Sequence, residues 1–122
     1  MKHSGTKDFK EAERRYGLGI QTGIKYDNYL VAIGDLQGVA FALSGQSRWG
    51  KALRLNAASC EKVRSMGLSL SGIHEFWDEW IETYIEGAKK EVGEELAKTY
   101  EEEGIAMGFE KAVEYALDFE KD

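Results

Sequence analysis

Proline is missing from this chain altogether, and cysteine occurs only once, at Cys60. A chain without proline is ordinary for a helical protein and unusual for a loop-rich one, because helices lose a hydrogen bond and clash at that residue. One cysteine rules out an intrachain disulfide and any cysteine-based zinc cluster within a single chain. A thiolate nucleophile needs a basic neighbour, and the only histidines are His3 and His74, so Cys60 reads as a small buried hydrophobe. Long apolar runs are also lacking: nothing approaches the roughly 18 residues of a membrane span. Met1 to Gly5 leads into the charged stretch Thr6 to Arg15, which is not the basic-then-apolar order of a secretory signal. The expectation is a cytoplasmic protein, one domain over residues 1–122, with residues 1–5 disordered.

What is present is charge, and it is divided. Residues 1–70 hold eleven lysines or arginines against six acids, whereas residues 71–122 hold five lysines against sixteen acids. All five arginines lie in the first part. Such asymmetry bears on partners and solubility rather than on fold.

Glycine supplies the punctuation that proline does not. Thr6 caps a predicted helix of about ten residues with Phe9, Ala12 and Tyr16 on its apolar side, and Gly17 ends it. Leu18, Ile20, Thr22, Ile24 and Tyr26 then alternate with Gly17, Gly19, Gln21, Gly23 and Lys25, the period-two signature of a strand. Asp27-Asn28 is turn chemistry, and Tyr29 to Gly34 is an apolar run of strand length. Val39, Phe41 and Leu43 alternate again, as do Trp49, Lys51, Leu53 and Leu55. These patterns predict an α+β fold: a short N-terminal helix, an antiparallel meander of three or four strands, then a mainly helical C-terminal half. The alternative is all-α, with Tyr29 to Ser44 as one helix. Gly34 and Gly38 would each cost that helix about 1 kcal/mol relative to alanine, which favours strands.

Asn56 reads as an N-cap, Ala57 to Met66 as a helix and Gly67 as its stop. Ser69 or Ser71 opens the longest helical region, from Ile73 to Glu103, with a bend near Gly87 or Gly93. Its first part carries Phe76, Trp77, Trp80 and Tyr84 on an apolar face too broad for one neighbour, so either it lies between the sheet and the last helix or part of it is a homo-oligomer interface, and self-association is expected. Gly104 is predicted to separate a last helix bearing Ile105, Phe109, Ala112, Val113, Ala116 and Leu117 on one side.

Glu75, Glu79, Glu82 and Glu86 follow spacings of four, three and four, which stacks them in one row bordered by Asp78. Regular carboxylates can imitate nucleic-acid phosphates in a basic groove of another protein, bind a hard cation, or simply solvate a helix. Glu79-x-x-Glu82 and Glu91-x-x-Glu94 resemble the paired carboxylates of helical magnesium-dependent nucleotide pyrophosphohydrolases. That resemblance implies a further Glu and Asp pair on another helix, and here Glu114 and Asp118 are spaced by four rather than three. His74 and Asp78, one turn apart, supply two ligands where a structural zinc site needs four. Arg48, Trp49, Lys51 and Arg54 join basic groups to an aromatic ring on a predicted strand, which suits stacking a base or gripping a phosphate.

The sequence therefore predicts a small non-catalytic acidic binding protein, similar in character to phage or mobile-element inhibitors. Its acidic face of Glu75, Asp78, Glu79, Glu82 and Glu86 would meet a protein partner with a basic surface. The alternative is a small-molecule or nucleotide binder using Arg48, Trp49, Lys51 and Arg54, across a dimer. Neither a cofactor nor a metal is expected, and neither a membrane nor direct nucleic-acid binding.

Overall fold

The computed structural model describes residues 6–67 and 75–122. Along them run α1 (Thr6–Lys25), α2 (Tyr29–Gly45), α3 (Trp49–Ser65), α4 (Glu75–Trp80), a π-helical segment (Ile81–Glu86), α5 (Gly87–Val92), α6 (Glu94–Met107) and α7 (Phe109–Leu117). No strand occurs among the described residues, so the α+β expectation is overturned and the fold is all-helical. Each stretch that alternates in sequence lies within a helix: Leu18 to Lys25 in α1, Tyr29 to Ser44 in α2, and Trp49 to Leu55 in α3.

The glycines explain the misreading, because they sit where two helices touch. The Phe9 ring lies on Gly45 and the Tyr16 ring on Gly38, so closely that a Cβ at either glycine would enter the ring. Both pairs are spaced by seven residues, two helical turns, which keeps them on one line along each helix. Further along the same surface the roles reverse. Gly19 of α1 receives the Asp35 side chain, and a Cβ on Gly23 would stand 2.9 Å from the Ala32 nitrogen. Each helical glycine forfeits about 1 kcal/mol of propensity, and the dispersion attraction between closely approaching helices offsets it.

α2 lies at the centre, packed against α1, α3, the π segment and α7. Ile33, Leu36, Val39 and Leu43 are fully buried, and polar Gln37 and Ser44 are buried with them. A helix enclosed on all sides is apolar all round and shows no amphipathic period, so its sequence resembles a buried strand. α3 is the next layer. Asn56, expected to cap a helix, lies inside α3 and accepts a hydrogen bond from Gln37 Nε2 at 2.6 Å. α6 closes on the far side of α3 by the same glycine device: the Tyr100 ring packs on Gly50, and Gly104 lies against the Arg54 main chain. Gly104 is thus a packing residue within α6, and the helix expected to start after it begins at Phe109.

The breaks fall at Gly93 (φ 94°, ψ 156°) and Gly108 (φ 83°, ψ 164°). These dihedrals belong to a region essentially reserved for glycine, which is why the chain turns there. Between α4 and α5 the π segment widens the helix, and Ser44 Oγ of α2 donates to the Tyr84 carbonyl at 2.6 Å. The same carbonyl also accepts from the Gly87 N–H, so Ser44 adds a second donor to it and finds a partner for its own buried hydroxyl. Among the described residues no helix is long and apolar enough to cross a membrane.

Two glycine substitutions should separate packing from propensity. Nothing lies within 4 Å of a Cβ built on Gly34, so Gly34→Ala should stabilise the fold by about 0.5–1 kcal/mol in urea denaturation. Gly104→Ala would drive a methyl into the Arg54 backbone and should destabilise by about 1–3 kcal/mol or more.

Candidate functional site

Asp78, Glu79 and Glu82 are exposed on α4 and the π segment, as the sequence spacing predicts. The side chains of Glu75, Phe76 and Trp77, which begin α4, lie outside the described residues, as does His74. Glu86 is paired within the chain. Lys89 Nζ stands 3.2 Å from Glu86 Oε2 and 3.1 Å from Glu101 Oε2, which ties Glu86 to α6. The four-three-four spacing assumes an unbroken α-helix, whereas Glu82 and Glu86 lie in the wider turns of the π segment. Beyond the π segment the acidic surface continues over exposed Glu91, Glu94 and Glu95. None of Asp78, Glu79, Glu82, Glu91, Glu94 and Glu95 makes an ion pair among the described residues. No group of three or more His, Cys, Asp or Glu among the described residues is placed to hold a metal ion.

Two of the four aromatics expected at an oligomer interface, Trp80 and Tyr84, pack against the core while staying partly exposed. Trp80 meets Phe41 edge-on at 5.8 Å between ring centroids, and Tyr84 lies 6.1 Å from the same ring. Tyr84 also receives Phe9 of α1 at 5.8 Å.

The basic and aromatic cluster lies on no sheet; it occupies the start of α3. Arg48 Nε is 2.6 Å from Asp122 Oδ1, its Nη2 donates to the carbonyls of Phe119 (3.1 Å) and Lys121 (3.0 Å), and its Nη1 reaches Glu13 Oε1 at 3.4 Å. Lys51 is only 1% exposed, and its Nζ donates to the carbonyls of Asp118 (2.7 Å) and Lys121 (2.6 Å) while lying 4.9 Å from the Tyr115 ring centroid. It closes the C-terminal end of α7, where a helix leaves carbonyls unpaired and favours a cation. Arg54 donates to Glu103 at 2.8 Å and to the Tyr115 hydroxyl at 2.9 Å, with its guanidinium over Tyr100. Trp49 is half-buried against the core.

Burial, reinforced by the neighbouring Arg48 charge, pushes the Lys51 ammonium down to about 8, with Glu13, Asp118 and Asp122 working the other way. Burial likewise raises the Asp35 carboxyl, which faces Gly19 where α1 meets α2. Cys60 is exposed on α3 rather than buried as expected, although local desolvation still raises its thiol.

The sequence pointed to no role for Glu13 or residues 119–122, and to Asp118 only through its spacing from Glu114. Glu13 is 3% exposed, and its Oε1 accepts from Gln46 Nε2 at 3.0 Å. The signal was present: Glu13 falls four residues after Phe9 and three before Tyr16, on the face α1 turns to its neighbour. Comparison with known protein families, curated proteins and solved structures finds no match for this chain.

The depressed Lys51 value sets a pH signature. Below about 8 the folded and unfolded chains both hold this proton, and the burial cost is present in full. Between about 8 and its ordinary value of 10.5, only the unfolded chain keeps the proton, so this residue's contribution to stability improves as pH rises. The melting temperature of the wild type relative to Lys51→Met should therefore climb between about pH 8 and pH 10. A difference that stays flat or falls in calorimetry would contradict this assignment.

Proposed function

We propose that this is a non-catalytic binding protein that presents the acidic surface of α4, the π segment and α5, continued by the start of α6, to a basic groove on a protein partner. The observation that supports it most is an imbalance in how charges are used. Arg48, Lys51 and Arg54 are engaged by acceptors of the chain itself, whereas Asp78, Glu79, Glu82, Glu91, Glu94 and Glu95 are exposed without ion pairs among the described residues. Like charges one turn apart on a helix repel by a few tenths of a kcal/mol per pair, so a surface that leaves them uncompensated is set up to be neutralised from outside. The surface is carried on helices fixed to the core by Trp80, Tyr84 and Ile85, so the carboxylates are displayed from a rigid support. The small-molecule reading draws less support, because the donors it would use already have partners within the chain.

The test is the combined substitution Asp78→Asn, Glu79→Gln, Glu82→Gln and Glu91→Gln. The helical signal and the melting temperature should hold or rise slightly, since glutamine matches glutamate in propensity and the repulsion is relieved. Partner captured from cell extract by the wild type should associate more slowly with the substituted protein and lose most of its salt dependence. Equal retention of that partner by both proteins, at low and high salt, would remove the basis for this function.

A further inference from the structure

Residues Asp118–Asp122 follow α7 as an irregular segment held almost entirely by the cradle of Arg48 and Lys51. Four of the five short hydrogen bonds go to main-chain carbonyls, those of Asp118, Phe119 and twice Lys121; the only side chain gripped is Asp122. Recognition through carbonyls depends little on which residues carry them. The segment's own side chains contribute little in return: Glu120, Lys121 and Asp122 are exposed, and Phe119 alone packs inward, against Gly17.

The occupant also leaves the site unsatisfied. Glu13 lines a cleft of about 240 Å³ beside Arg48, Phe119 and Glu120, and its Oε2 is buried without a hydrogen-bond partner. A buried carboxylate oxygen lacking a donor carries a desolvation cost that a well-placed N–H would remove. The segment offers Glu120 at this cleft, whose side chain brings acceptor oxygens and no N–H.

We propose that the Arg48–Lys51 cradle is a receptor for an extended peptide, held here in cis by Asp118–Asp122, and that a partner segment bringing main-chain carbonyls, one carboxylate and a side-chain amide for Glu13 displaces it. The site is separate from the acidic surface of α4 and α5, so it stands or falls apart from that reading.

The experiment uses the full chain carrying Phe119→Ser and Asp122→Asn, which weakens the cis occupant and leaves the cradle intact. The probes are a fluorescent peptide with the sequence of residues 118–122 and the same peptide carrying Glu120→Gln. Fluorescence anisotropy should show the first peptide binding the weakened chain at least about tenfold more tightly than the wild type, where the tethered copy competes at an effective concentration near millimolar. The glutamine peptide should bind several-fold more tightly again, and adding Arg48→Gln should abolish binding of both. Equal affinity for wild-type and weakened chains, or no improvement from glutamine, overturns the proposal. If the weakened chain melts, hydrogen exchange on the wild type decides: the Lys121 amide, which donates to the Asp118 carbonyl at 3.1 Å, should exchange faster with millimolar glutamine peptide, and unchanged exchange overturns it.

Discussion

The close approach of α1 and α2 is the constraint on which the rest of the molecule depends. Phe9 and Tyr16 press onto Gly45 and Gly38, while Asp35 and Ala32 press back onto Gly19 and Gly23, so neither backbone has room for a methyl group between them. That packing brings α1 over one side of α2 and leaves α3, the π segment and α7 to cover the others. Enclosure of α2 in turn places Ser44 against the Tyr84 carbonyl and Gln37 against Asn56, each satisfying a polar group that burial would otherwise make costly. The acidic surface is held by the far side of the same arrangement, through Phe41 under Trp80 and Tyr84.

Much of the second half was legible in the sequence and little of the first. α7 follows a single clear apolar stripe, and its buried Ala112, Val113 and Ala116 are the residues that stripe names. The exposure of Asp78, Glu79 and Glu82 is what charge on a helix suggests without knowledge of neighbours. The π turns that carry Glu82 and Glu86 were not legible, since no residue type announces such a turn. In the first half, local propensity and tertiary packing point in opposite directions. Gly19, Gly38 and Gly45 count against a helix when each is weighed alone, and they favour one only when the aromatic or acidic side chain of another helix is known to occupy the space. Gly104 shows the same ambiguity in reverse: taken as a boundary, it proved to be the point where α6 touches the α3 backbone.

The positive charge of the first half follows a related pattern. Arg48, Lys51 and Arg54 sit along the start of α3, and their type and spacing suggested a ligand. Their partners lie some fifty to seventy residues away, at Glu103, Tyr115 and the segment after α7. Sequence separation of that size hides a pairing completely, and in this structure the three cations secure the last helix and the segment beyond it. The asymmetry of charge between the halves is therefore partly an internal bond, and the exposed acids left over include those on α4, the π segment, α5 and the start of α6.

The seven-residue spacing of the glycine notches has a consequence for uniqueness. Because Phe9 and Tyr16 repeat at the same interval as Gly38 and Gly45, sliding α1 by two turns along α2 would seat one ring in the other ring's notch. The packing surface alone thus admits neighbouring alignments of comparable shape. What singles out one alignment is the three-residue turn Tyr26–Asn28, which would have to be drawn out almost fully to follow a two-turn shift, together with the seating of Asp35 on Gly19. Lengthening a surface turn ordinarily costs little free energy. Here a longer turn would cost the molecule its single register, so this turn acts as the gauge that keeps one helix from creeping along the other.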